Sequence, residues 1–521
     1  MKKIKTYELK ASNKNGIKRA VFVGLSILIE MVLIIGLFTK LNNYYSWINI
    51  ATRVLAVVMV LAIYAEHKTS AMKMPWIILI LAFPVAGITL FVFVGLAGST
   101  KRMAKRYSDV DEIVLPMLPE NKEVSAKLKE VSEGAYGVSN YIRSYAKYPA
   151  YENTDITYYA DAYEGFKAQL EEVKKAKSFI FLEYFAIEQD GEAWKELEAA
   201  LIERAADGVE VRVFYDDIGS IAFIGKDFIK KLAGFGIKVR VFNPVMWFFK
   251  LFLNNRDHRK LMVIDGKVGF TGGYNIADEY FNLTHPYGMW KDSGVRLEGD
   301  AVKSLTATFL EMWNAVKDND EDDTDFAKYL SDTDYKASEK CFIQPYADSP
   351  MDNEHVGEDV YISIINKASD YCYIITPYLI ITDEMRHALC LARKRGVDVR
   401  IITPGIPDKR MIYSVTRSFY HGLVMDGIRV YEWTPGFCHA KMCVADDKMA
   451  TVGTINFDYR SLYHHFENGC FIYGAKAVTD IKKDFDEMFS ESRDVTEKYL
   501  TGRSSMLRLG QLFLRLFAEL L

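Results

Sequence analysis

The first 340 residues contain no cysteine; all six (Cys341, Cys372, Cys390, Cys438, Cys443 and Cys470) fall in the C-terminal part. None forms a Cys-x-x-Cys pair, which excludes a zinc knuckle or a dithiol redox motif, and a chain of this size has no need of a disulfide framework. Free thiols in a reducing compartment are expected. A basic excess is also missing: 65 lysines and arginines face 69 acidic residues, for a net charge of −4. The balance gives no support to a nucleic-acid-binding surface. A cleavable leader fits poorly, because further apolar runs follow the first and no small-residue cleavage site stands out. Half of the 521 residues are hydrophobic and 26% are charged. That is a folded composition, in a chain too long for one ordinary core.

Long apolar runs are present, at 20–38, 47–64 and 75–96. Each approaches the ~20 residues that an α-helix needs to cross the hydrocarbon layer. Residues 1–100 therefore read as a membrane anchor of two or three helices. Glu30 sits inside the first run and Arg53 shortens the second, while Pro84 and Gly87 interrupt the third, which membrane helices tolerate. Lys14, Lys18 and Arg19 precede the runs, and Lys101, Arg102, Lys105 and Arg106 follow them. The positive-inside rule then wants both flanks cytoplasmic and an even number of crossings. Three runs conflict with that, so one is expected to be interfacial or re-entrant, with the remainder of the chain on the cytoplasmic side.

Beyond residue 101 the pattern is that of a soluble α/β protein. Residues 179–185 form an apolar, aromatic strand pattern, followed by a helix over 193–206, a stop at Gly208 and a strand over 209–215. The order recurs as a strand at 371–377, a helix at 384–395, a stop at Gly396 and a strand at 397–403. The chain is thus duplicated, with domains expected over 101–320 and 321–500. The acidic stretch 318–325 reads as a solvated linker between them. Residues 501–521 read as an amphipathic helix, packed on the domain or lying in the membrane interface. The apolar segment 244–253 forms either a membrane-dipping lip or a helix packed inside the domain.

Two matched motifs carry the chemistry. His258-x-Lys260 is followed by Asp265, Gly272 and Asn275; His439-x-Lys441 is followed at the same offsets by Asp446, Gly453 and Asn456. Strand alternation puts each His and Lys on one face. Phosphodiesters react very slowly unaided, so large charge stabilisation is needed. One imidazole can attack phosphorus to form a phosphohistidine while the other protonates the leaving alcohol. Lys260, Lys441, Asn275 and Asn456 can hold the non-bridging oxygens, so neither a metal nor a cofactor is required. An acceptor must fix each ring's tautomer, and Asp292 and Glu467 are the candidates downstream in the two halves. Asp265 and Asp446 belong to the motif, but they sit where the strand ends and read as holding the lysine and loop. His465 is adjacent to the second site segment. His67, His285, His355, His387, His421 and His464 read as surface or core residues.

The doubled His-x-Lys-x4-Asp-x6-Gly-x-x-Asn motif resembles that of the phospholipase D superfamily. Within it the chain from Pro75 onward is similar to the bacterial cardiolipin synthases, in segments 216–220, 257–260, 376–378 and 456–461. The resemblance implies two phospholipase D-like mixed-sheet α/β domains behind an α-helical membrane region of a bacterial cell membrane. It also implies phosphatidyl transfer between two phosphatidylglycerol molecules, giving cardiolipin and glycerol, with His258 as nucleophile and His439 as acid/base. A hydrolase, or a transferase using serine or another alcohol, is the alternative. The chain departs from the family at His465, where Asn is usual, at Ser293-Gly294, where Thr-His is common, and at Ala518-Glu519, where Ser-Pro is usual.

Overall fold

The computed structural model describes residues 46–66, 69–95, 98–244, 255–316 and 323–501, with scattered helical positions between 25 and 41 and between 510 and 515. Four helices open this set: α1 (Ser46–Ala65), α2 (Ser70–Ala82), α3 (Pro84–Gly95) and α4 (Gly98–Val114). With 20 residues, α1 is about 30 Å long and apolar enough to cross a bilayer. The third apolar run does not form one long helix. It breaks at Phe83 and folds back, bringing the Trp76 ring 5.4 Å from that of Phe91. Gly87 makes the close approach possible, since a Cβ there would lie 2.6 Å from the Ile80 Cα. Much of the run at 20–38, the segment 245–254 and most of 501–521 lie outside the described residues.

Two sheets follow, and they share one topology. The first contains β1 (Thr154–Tyr159), β2 (Phe179–Tyr184), β3 (Glu210–Asp216), β4 (Lys238–Phe242), β5 (Lys260–Ile264), β6 (Val268–Gly272) and β7 (Gly294–Gly299). The second contains β8 (Phe342–Asp348), β9 (Tyr371–Ile375), β10 (Asp398–Pro404), β11 (Arg429–Trp433), β12 (Met442–Ala445), β13 (Met449–Gly453) and β14 (His465–Tyr473), with β15 (Ser492–Asp494) added at the edge. Strand order is β1-β7-β6-β5-β2-β3-β4 in one and β8-β14-β13-β12-β9-β10-β11-β15 in the other. In each, the three strands at one side run parallel and the motif strand pairs antiparallel to the first of them. Gly208 and Gly396 end the crossover helices with φ of +88° and +101°. Only glycine adopts that conformation without a Cβ penalty, which is why it punctuates both copies.

The halves are tied together by two short pairings. Arg256–Asp257 runs parallel with the start of β14, and Gly436–Cys438 runs parallel with Met289–Lys291. One contiguous core spans both sheets and takes in the helix Val302–Ala315, buried along almost its whole length. Residues 98–146, which precede the first sheet, contact both halves. Arg106 donates to the carbonyls of Asn314 and Ala315, while the Tyr141 hydroxyl donates to Glu354 and Asp359.

The acidic stretch is not simply solvated. Asp323 takes a bidentate pair from Arg212 at 2.7 and 2.8 Å, with their side chains only 8% and 3% exposed. The charge run reads as a solvated face, but the buried arginine on β3 recruits one of its members.

Candidate active site

The motif strands β5 and β12 bring both histidines to the junction of the halves. The short pairings clamp the residue before each histidine. As a result, His258 N–H donates to the Phe466 carbonyl at 2.9 Å, and His439 N–H to the Lys291 carbonyl at 2.7 Å. The next residue along each partner strand is a carboxylate. His258 Nδ1 lies 2.9 and 3.0 Å from the two Glu467 oxygens, and His439 Nδ1 lies 2.7 Å from Asp292 Oδ2. Each half therefore orients the other half's histidine. Asp292 and Glu467 both meet histidines, and the pairing is crossed.

Burial sets the charge states. It pushes His258 well below the usual imidazole range, with Lys260 adding to the effect, and pushes His439 down to about 4, with Lys441 adding to the effect and Asp292 opposing it. Both rings are neutral near pH 7, so a proton on Nδ1, donated to the carboxylate, leaves Nε2 bare. Asp292 stays below its ordinary value: burial opposes this, but His439 and Lys441 outweigh burial. Burial pushes Glu467 up while Lys260, Ser461 and Thr454 hold it down. The Ser461 hydroxyl (2.6 Å), the Thr454 hydroxyl and His258 Nδ1 all converge on its two oxygens, an arrangement that a carboxylate satisfies.

The lysines are also buried, which lowers Lys260 to about 7 and Lys441 to about 8. Lys260 Nζ donates to its own motif's His258 carbonyl at 2.6 Å, and Lys441 does the same to His439. A cation in so dry a place lowers its energy by meeting an anion, and a phosphodiester supplies one.

Other motif members are engaged elsewhere. Asp265 accepts backbone N–H groups of Lys177, Ser178 and Phe179, and Asp446 those of Ser369, Asp370 and Tyr371. Both stand at the far end of the motif strand with φ of +53° and +56°, and they bond the loop backbone, with Asp446 also accepting from the Ser369 hydroxyl at 2.8 Å. Of the lysine and loop that they are expected to hold, their bonds reach the loop that enters β2 or β9. Asn275 is occupied by Ala186 N–H and the Tyr280 hydroxyl, whereas Asn456 Oδ1 is buried without a hydrogen-bond partner among the described residues.

Sequence reading did not single out Thr454 and Ser461, although both lie inside motif segments. Nor did it anticipate the ring walls. Phe185 stands edge-on to His258 at 5.1 Å, and Trp290 and Tyr280 flank His439 at 5.3 Å each. His465 lies beside His258, with ring centroids 5.4 Å apart. His355 packs on Tyr463 and His421 bonds to the Tyr499 carbonyl, both away from the site.

Residues 170–313 and 361–489 match the family described as "Cardiolipin synthase, PLD-like domain". The family match makes this duplicated fold with two His-x-Lys half-sites that of a phosphatidyltransferase of the phospholipase D superfamily. More narrowly, the chain belongs to the cardiolipin synthase family. It is 31% identical to a cardiolipin synthase of Oceanobacillus iheyensis over 88% of this chain and 95% of that one. It is 41% identical to an uncharacterised protein of Streptococcus mutans over 86% and 96% respectively. Among solved structures, a phosphatidylserine synthase from Haemophilus influenzae covers 70% of this chain and 93% of its own, with a TM-score of 0.53 and 15% identity, a likeness of fold alone.

Proposed function

We propose that this chain makes cardiolipin from two phosphatidylglycerol molecules, releasing glycerol, through a phosphohistidine on His258. The crossed pairing of two neutral histidines with carboxylates of the opposite half is the observation that carries this reading. His258 Nε2 attacks phosphorus, the P–O bond to the headgroup glycerol breaks, and His439 gives that oxygen a proton. In the second step His439 takes the proton from a hydroxyl of the second phosphatidylglycerol, whose oxygen attacks phosphorus and releases His258. The anion bound between Lys260 and Lys441 offsets the repulsion that keeps His439 neutral in the free site, so the ring can carry the proton it delivers. The test is purified protein in phosphatidylglycerol vesicles, with products separated by mass. Cardiolipin with glycerol is expected; phosphatidic acid alone would make it a hydrolase. Phosphatidylserine formed only on adding serine would make it a serine transferase.

The anchor fits the same reading. At 13 and 12 residues, α2 and α3 span about 20 and 18 Å, short of the ~30 Å hydrocarbon layer. We infer that this hairpin enters and leaves the bilayer on one side, while the runs at 20–38 and 47–64 cross it. Two crossings and one re-entrant hairpin leave both basic flanks cytoplasmic, with the active site beside that leaflet. Cysteines placed before Lys14 and after Lys105 should both resist an impermeant thiol reagent in intact cells.

A further inference from the structure

Among the described residues His465 has no hydrogen-bond partner for either of its buried ring nitrogens, and its side chain is only 10% exposed. A buried imidazole with both nitrogens unbonded is rare in a folded protein and is accounted for when a ligand meets it. Its Nδ1 lies 3.5 Å from Glu467 Oε1, the same carboxylate that His258 Nδ1 approaches at 2.9 Å. Together these three residues present ligand atoms that all lie within 4.8 Å of one another.

The donor set is two neutral imidazoles and a carboxylate, the type that suits zinc. For an ion about 2.05 Å from each ligand atom, N···O separations of 2.9 and 3.5 Å subtend angles of about 90° and 117°. Those two values bracket the tetrahedral angle. Ser461 and Thr454 hold the carboxylate from behind, the support that metal-binding carboxylates need.

We propose that His258, His465 and Glu467 form a zinc-type divalent metal site whose occupation switches the enzyme off. A metal on His258 Nδ1 needs that nitrogen's lone pair. The single proton of the neutral ring therefore moves to Nε2, and the metal replaces the hydrogen bond to Glu467. With Nε2 protonated, the lone pair that would attack phosphorus is gone. No oxidation or bond cleavage is involved, and removing the metal restores the original tautomer. The switch rests on His258 being the nucleophile; the binding does not.

Zinc chloride titrated calorimetrically into the full-length, metal-stripped protein should show one equivalent bound, and cobalt(II) should give the visible absorption of a four-coordinate nitrogen–oxygen site. His465→Asn removes one ligand and should weaken zinc binding at least tenfold, with His465→Gln as a second variant and thermal melts in metal-free buffer as the check on folding. In phosphatidylglycerol vesicles, zinc should inhibit the wild type, a chelator should restore it, and the inhibition midpoint should rise at least tenfold in both variants. Equal zinc binding in wild type and variants, or none, overturns the site. Zinc bound through His465 with turnover unaffected overturns the switch. If zinc binds as expected but no lipid product forms in its absence, the proposed function fails while the metal site stands.

Discussion

Where the leaving group needs no proton, removing the Glu467 charge should slow the first chemical step, whereas removing that of Asp292 should slow only the second. Both changes can be made isosterically, as Glu467→Gln and Asp292→Asn, so the buried packing around them is kept. Each substitution loses one charge-assisted hydrogen bond, between His258 and Glu467 or between His439 and Asp292. Bonds of this kind contribute about 1.5–3 kcal/mol, which corresponds to about 10- to 150-fold in rate. A phosphatidyl ester of p-nitrophenol separates the two steps, because its leaving group departs without a proton donor. Glu467→Gln, whose nucleophile is misoriented, should show no rapid burst of nitrophenol. Asp292→Asn should burst at close to the wild-type rate and then stall, accumulating a phosphoenzyme labile to acid. The histidine roles and the crossed pairing stand or fall together here: a burst retained in Glu467→Gln and lost in Asp292→Asn would reverse them.

Because burial lowers Lys260 to about 7 and Lys441 to about 8, their charges are present below those values and lost as pH rises through them. kcat/KM, which reports the free enzyme, should therefore fall on its alkaline side between about pH 7 and 8, and the limb in kcat should lie higher, since a bound phosphodiester stabilises both cations. Gly87→Leu should push α2 from α3 and lower the melting temperature in detergent, at a cost of about 1–3 kcal/mol, while Gly36→Leu, with nothing within 4 Å among the described residues, should not. Asp323→Ala should destabilise by about 2–3 kcal/mol in denaturant melts, less than the ~3–5 of a fully broken buried pair, because Glu210 still bonds Arg212. Asp325→Ala, an exposed member of the same run, should stay within about 0.5 kcal/mol.

Most of the duplicated frame is visible in the residues. The glycine stops, the 3.6-residue pattern of the crossover helices and the apolar strand at 179–185 are local signals, and the observed strand (Phe179–Tyr184) ends within a residue of the pattern. The site residues are visible too, because the same spacing occurs twice. What spacing does not carry is pairing between the halves. The segments that cross are two or three residues long and have no periodicity of their own, so nothing in Arg256–Asp257 announces that it will lie along β14. The buried role of Asp323 was hidden for a similar reason: its partner Arg212 lies 111 residues earlier, on a strand whose alternation says only that one face is covered.

The crossing also explains why two copies in one chain are needed. In an isolated half, His258 would lack Glu467, and the backbone segment that fixes it would have no strand beside it; His439 would likewise lack Asp292. Neither half could hold a neutral imidazole in the tautomer the chemistry needs, whatever its own motif contained. Duplication alone would give two equivalent histidines, but the surroundings have diverged. Trp290 and Tyr280 flank His439, whereas His465 lies beside His258, and the acceptors differ as aspartate and glutamate. An aromatic wall around one histidine and a titratable neighbour beside the other give the two rings different environments on a shared frame. The two-step transfer proposed above asks for just such a division, since in it one ring bonds to phosphorus while the other only moves a proton.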